Sequence, residues 1–210
     1  EPWIFTQKVF YGEPTEKEVW ANLDSFLLKT YCGHKIIGVA VDSGYLTEHA
    51  YAFTKPRAGR RVFAIKGVSG MGRPLTSTPK QTGRQRVMLY QVGVDTAKRT
   101  VYSWLHNDKV HFSAELDEEF FAQLTAEKLV TKFRKGFSVL EWVKTRERNE
   151  ALDCFVYAYA ALNNLNPDLL KVRARKIAPP VLVEEPMPTS TQRKTKSSPK
   201  RRSSSFVSRW

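Results

Sequence analysis

The chain has 210 residues, 41% of them hydrophobic, with five Trp, twelve Phe and a formal net charge of +13. That is material for one substantial core, or two very small ones. No apolar run approaches the roughly 18–20 residues that span a bilayer, and the first residues lack the basic-then-apolar pattern of a secretion signal. The positive charge is uneven: from Lys171 onward, eleven Lys and Arg face two acids, Glu184 and Glu185. Such an excess points to a polyanionic partner, nucleic acid before membrane. Cys32 and Cys154 lie in apolar stretches without metal-ligand spacing. They read as reduced core residues of a soluble protein of cytosolic type.

Trp3 to Tyr11 alternates apolar and polar residues, which predicts a strand. It starts almost at residue 1 with no initiator Met, which reads as a fragment or processed product. After the turn Gly12-Glu13-Pro14, Thr15 and Glu18 have capping-box spacing. They open a helix to about Thr30, with Val19, Leu23, Phe26 and Leu27 facing inward. Lys35 to Val41 is nearly continuous apolar sequence and predicts a central strand covered on both faces. It ends in Asp42-Ser43-Gly44. An acid at the carboxyl end of such a strand lies where open α/β sheets bind ligands; alternatively Asp42 only starts the turn or caps the helix expected over Leu46 to Phe53.

A basic turn at Arg57 to Arg61 leads into a short buried strand through Ile65. Gly67 to Arg86 reads as a long loop with four Gly, two Pro and the basic residues Arg73, Lys80, Arg84 and Arg86. A loop of that length is usually functional or disordered. This one either follows a phosphate backbone or is a solvated insertion. Val87 to Val94 is a strand, and Asp95 or Thr96 caps a helix through Leu105. Val110 to Phe112 forms a brief strand. Glu115 to Glu119 introduces helical spacing through Phe133, with Leu124, Leu129, Val130 and Phe133 as core candidates.

Phe137 to Val143 is a strand that delivers the chain to a helix over Arg146 to Leu162. There Asn149 is the expected cap, and Leu152, Phe155, Val156, Tyr159 and Leu162 recur at three- and four-residue steps. The alternation of strands and helices predicts an α/β layer architecture. Beyond Asn166-Pro167 the composition turns to Pro, Ser, Thr, Lys and Arg, which cannot bury enough surface to offset ordering entropy. The division expected is a folded domain over 1–168 and a flexible basic tail over 169–210.

Several chemistries are excluded. No GxxxxGK[ST] occurs, the glycines of Gly67 to Gly72 lack dinucleotide-loop spacing, and no HExxH brings the four scattered His together. Carboxylates remain: Asp42, and Glu150 with Asp153 stacked on one edge of a helix start. Acids there stabilise the helix dipole by about 0.3–1 kcal/mol each. They are also the oxygen donors that Mg²⁺ and Mn²⁺ take. Two such ions about 3.5–4 Å apart can activate water and stabilise the leaving oxygen in phosphodiester hydrolysis.

Four strings occur in order: Val39-Ala-Val-Asp42-Ser-Gly44, Phe63-Ala-Ile-Lys66-Gly-Val-Ser-Gly70, Val92-Gly-Val-Asp95-Thr-Ala-Lys98 and Arg148-Asn-Glu150-Ala-Leu-Asp153-Cys-Phe-Val-Tyr-Ala158. Together they resemble the C-terminal nuclease domain of the terminase large subunit of tailed bacteriophages, in its lambda-like (GpA) branch, over about residues 1 to 165. The resemblance implies a ribonuclease H-like mixed sheet flanked by helices. It also implies an endonuclease that cuts concatemeric double-stranded viral DNA during genome packaging in the host cytoplasm, using two Mg²⁺ or Mn²⁺ ions. Asp42, Glu150 and Asp153 take the catalytic, metal-binding places. Lys66 and Lys98 fall in matching motifs and are assigned to DNA phosphate or active-site electrostatics, with Arg73 and Arg84 of the basic loop as further DNA contacts.

The implied partners are duplex DNA, the terminase ATPase domain and small subunit, and the capsid portal through the tail. Family members carry their first catalytic Asp on a strand preceding the one that opens this chain. The expectation is therefore a sheet lacking its first strands and one metal ligand, with an exposed edge. Two alternatives stand beside this one. A non-catalytic DNA- or portal-binding module would bind through its tail with steep salt dependence. A resolvase- or transposase-type ribonuclease H-like nuclease would differ in substrate.

Overall fold

The computed structural model describes residues 1–165. The residues assigned above to the basic tail lie outside them. In chain order the elements are β1 (Trp3–Ile4), α1 (Lys17–Leu28), β2 (Thr30–Tyr31), β3 (His34–Lys35), β4 (Val39–Asp42) and α2 (Thr47–Thr54). A 3₁₀ turn (Lys55–Arg60) then leads to β5 (Val62–Val68), β6 (Lys80–Thr82), β7 (Val87–Gly93), α3 (Val94–His106) and β8 (His111–Phe112). The last elements are α4 (Glu118–Leu124), β9 (Glu127–Arg134), β10 (Phe137–Lys144) and α5 (Glu150–Leu165).

The main sheet has four strands in the order β4-β5-β7-β6. The first three are parallel, with Asp42 opposite Ile65 and Ile65 opposite Tyr90, and β6 runs antiparallel to β7. Strand β5 is covered on both sides because its side chains alternate. Ile65 joins Val92, Val101, Leu152 and Val156 in the larger core, while Ala64 meets Tyr51 and Val87 on the opposite face. Helices α3, α4 and α5 contribute to the first cluster and α2 to the second. The result is a mixed α/β fold of the ribonuclease H-like kind, as the sequence predicts.

Several elements differ from expectation. The opening strand shrinks to Trp3–Ile4, because its only ladder partner among the described residues is the two-residue β8. Helix α1 starts at Lys17 without a side-chain cap, so the Thr15–Glu18 box does not form, and its inward face is only half-buried. Strand β4 is not central: among the described residues it pairs with β5 alone and forms an edge of the sheet. Its apolar run faces an open groove rather than a neighbouring strand, and Ile37 is 62% exposed.

The predicted long loop is partly ordered. Strand β5 runs on to Val68 and β6 pairs with β7. Between them, Gly93 N donates to Leu75 O at 3.1 Å and Ser77 N to Gln91 O at 3.0 Å, which pins the segment along β7.

The helix expected through Phe133 ends at Leu124, and Glu127–Lys144 is a hairpin instead. Its turn residues Lys135 and Gly136 both take positive φ (50° and 83°), the geometry of the tight turn that matches strand twist. Leu129 and Phe133 mimic helical spacing by being four apart, yet Phe133 is 78% exposed. The two cysteines are exposed, not core residues. Cys32 occupies the positive-φ turn between β2 and β3. No helix among the described residues is long and apolar enough to cross a membrane.

Candidate active site at the open edge of the sheet

Beside β4 lies a groove of about 1190 Å³ whose lining is mostly apolar, with Phe5, Tyr31, Val39, Ala161 and Leu165 among its walls. Asp42, Glu150 and Asp153 all line it. The sheet delivers Asp42 at the carboxyl end of β4, and α5 delivers the other two in its first turn. The acids predicted from distant parts of the sequence therefore face one cleft.

Asp42 is exposed, and both of its oxygens are engaged. Gly44 N donates to Oδ1 at 2.9 Å, so the residue does start the turn, as one reading of the sequence had it. The Tyr157 hydroxyl donates to Oδ2 at 3.4 Å and so ties α5 to β4. Gly67 makes that approach possible. A Cβ there would stand 2.9 Å from both the Tyr157 hydroxyl oxygen and Val94 Cγ1. Burial, with the Asp42 charge next in weight, raises the Tyr157 phenol well above its ordinary range, so it stays a donor.

Asp153 is half-buried, and burial pushes its carboxyl up. Lys98 opposes the shift, Glu127 adds to it, Lys144 opposes it, and Asp42 adds to it. Its Oδ2 accepts from Asn149 Nδ2 at 3.1 Å. Glu150 sits at the rim, 3.4 Å from Arg148 Nε with both side chains half exposed. Among the described residues no three His, Cys, Asp or Glu side chains stand close enough together to hold a metal ion.

The basic candidates divide. Lys98 is buried, its Nζ 2.8 Å from both carboxylate oxygens of Glu127, so its charge is spent inside the fold and is not presented to DNA phosphate. The contribution to active-site electrostatics is the one its position allows, since it lowers the Asp153 carboxyl. Lys66 is exposed on β5 one residue past Ile65, the residue opposite Asp42. Arg73 is exposed beyond the carboxyl end of β7, with Nε donating to Ser69 O at 2.8 Å. It shares a second depression with Thr96, Arg99 and Ser103. Arg84 is not brought to the site. It follows β6 at the opposite sheet edge, three strand spacings of about 4.8 Å away, near the amino end of β7.

Two capping predictions are redirected. Helix α3 begins directly from Gly93, and the side chains of its first turn hold the preceding loop instead. Asp95 Oδ2 accepts from Gly70 N at 2.7 Å, and Thr96 Oγ1 donates to Arg73 O at 2.6 Å. Asn149 does not accept from a first-turn N–H of α5. Its Oδ1 accepts from Lys144 Nζ at 2.8 Å, and Gln123 Oε1 takes the Ala151 N–H at 3.3 Å.

Sequence reasoning missed Tyr157, although it stands four residues after Asp153 and hence on the same helix edge. It also missed Glu127, hidden by the helical reading of its strand.

Comparison with known proteins bears on this arrangement. Residues 1–175 match the family model described as the terminase large subunit gpA endonuclease domain. The chain is 34% identical over 181 residues to a terminase large subunit of Enterobacteria phage P21, covering 77% of this chain and 28% of that protein. It is 32% identical over 180 residues to a terminase large subunit of Escherichia phage lambda, with the same coverages of 77% and 28%. The chain thus spans little more than a quarter of the length of the curated relatives it matches. No solved structure gives a significant match. The match of residues 1–175 to that family model, with relatives 34% and 32% identical, places the chain in the family of terminase large subunit gpA endonuclease domains.

Proposed function

We propose that the chain is a metal-dependent endonuclease that cuts concatemeric double-stranded viral DNA during genome packaging. The observation that carries this is the convergence of Asp42 and Asp153 on one groove from two different elements. Mg²⁺ is characteristically held by one or two carboxylates, with water and substrate phosphate oxygens completing its shell. Asp42 and Asp153 fit that donor set, with Glu150 at the rim. A bound divalent ion would supply Lewis acidity and a water of lowered pKa.

The chain's own groups have definable tasks. The Gly44 N–H and the Tyr157 hydroxyl fix the rotation of the Asp42 carboxylate. Asp153 is the acid of the three that burial partly shields from water, which strengthens its interaction with a cation. Lys66 and Arg73 offer positive charge to a phosphate backbone. Among the described residues the outer edge of β4 carries no partner strand, which leaves the Asp42 side of the groove open to substrate. Family membership supports DNA and the packaging machinery as partners in general, and within it the terminase ATPase domain, the small subunit and the capsid portal are the partners proposed.

The test is Mn²⁺-dependent cleavage of duplex DNA. Asp42→Ala and Asp153→Ala are each expected to cost more than the roughly 10–100-fold typical of residues outside the ligand shell. Cutting at the wild-type rate by both variants would refute the assignment. Mn²⁺ uptake without cutting by the wild type would uphold the metal site and count against cleavage by this chain.

A further inference from the structure

Behind the acids lies a polar assembly that the reaction described above does not use. Lys98 and Glu127 are buried and joined by two 2.8 Å contacts. Asn149, also buried, donates from Nδ2 to Glu127 Oε1 at 2.8 Å and to Asp153 Oδ2 at 3.1 Å. Its Oδ1 accepts from Lys144 Nζ at 2.8 Å. Glu127 is anchored further through its backbone: the Tyr102 hydroxyl donates to Glu127 O, and Glu127 N donates to that hydroxyl at 3.3 Å. Every polar atom of the Asn149 carboxamide is thus engaged, and only one of its partners, Asp153, faces the groove.

A buried ion pair is a poor way to stabilise a fold, since apolar residues of similar volume often do as well or better. Its use here is geometric. The pair fixes Glu127, Glu127 and Lys144 fix the Asn149 carboxamide, and the carboxamide holds one oxygen of Asp153.

We infer that Asn149, held by the Lys98–Glu127 pair and by Lys144, is a positioning residue that aims the Asp153 carboxylate across the groove toward Asp42. The inference rests on the nuclease reading for its purpose, though not for its geometry. Partners of this kind, outside the ligand shell, typically change metal affinity by about 10–100-fold when altered.

The experiment uses the full chain, with Mn²⁺ alone as the probe, followed by calorimetry. Asn149→Ala is expected to weaken Mn²⁺ binding by about 10–100-fold. The double variant Lys98→Met/Glu127→Leu keeps the volume but removes the anchor. The freed Asn149 Nδ2 donor should lower the variant's melting temperature only modestly, while Mn²⁺ affinity falls to the same extent as in Asn149→Ala. It also serves if Asn149→Ala does not fold. Wild-type affinity in the folded variants would overturn the proposal.

A second readout separates it from the metal reading. The side-chain amide protons of Asn149 should exchange slowly with solvent in the wild type and faster in Asp153→Ala. If the wild type and Asp153→Asn take up Mn²⁺ equally, or neither does, the metal reading falls. The amide exchange then decides alone: slow exchange that Asp153→Ala relieves upholds the positioning, and rapid exchange in the wild type ends it.

Discussion

Helix α5 has two sides of nearly equal apolarity and opposite fates. On one, Leu152, Val156 and Ala160 are wholly buried against β5, β7 and α3. On the other, Cys154, Ala158 and Leu162 line the groove beside β4, and Leu162 is 43% exposed. The acids stand at the seam between them, backed by a closed polar assembly and fronted by an open cleft. The difference teaches that apolar periodicity marks surface meant to be covered, while only topology tells what covers it. The closed side gives the rigidity that fixes the acids, and the open side gives access.

That comparison can be broken from the closed side first. Glu127→Ala leaves Lys98 buried without its partner and is expected to cost about 3–5 kcal/mol in denaturant unfolding. Leu152→Ala should cost about 2–5 kcal/mol through lost burial and a residual cavity. On the open side, Leu162→Ala should change stability by only about 0.5 kcal/mol. Equal losses at 152 and 162 would show that the groove is closed in solution.

At the seam, Gly67→Ala pushes a methyl into the Tyr157 hydroxyl. Overpacking of this sort costs about 1–3 kcal/mol. Its effect on cleavage should exceed that of Leu152→Ala, because it displaces the phenol that holds Asp42.

The smallest effect lies on α1, outside the polar assembly. Hydrogen bonding to Arg57, against a smaller opposing effect of burial, holds Asp24 down at about 2. A depressed carboxyl contributes stability that is present above its unfolded value, near 3.8, and lost as pH falls toward 2. Melting temperature should therefore drop slightly between pH 4 and pH 2, and Asp24→Asn should lack that part of the drop.

Much of this was legible in the sequence because burial and period agree there. The strands at Val62–Val68 and Val87–Gly93 and the helix from Glu150 are apolar in the pattern their surroundings require. Asp42 and Asp153 were legible because each follows or opens such an element. The edge position of β4 was not, since an apolar run reads the same whether a strand or a groove adjoins it. The β9–β10 hairpin was obscured by the chance four-residue spacing of Leu129 and Phe133, although Lys135-Gly136 carried a turn signal. Asn149 looked like a cap because its side chain suits one. The residues that claim it, Glu127 and Lys144, come from that same hairpin and are invisible to local reasoning.

The most direct test of the site is anomalous diffraction from crystals of the chain soaked in Mn²⁺. A peak in contact with the carboxylates of both Asp42 and Asp153, lost in Asp42→Asn, is the predicted result. Mn²⁺ found only on other surface acids, or at neither aspartate, would contradict the account.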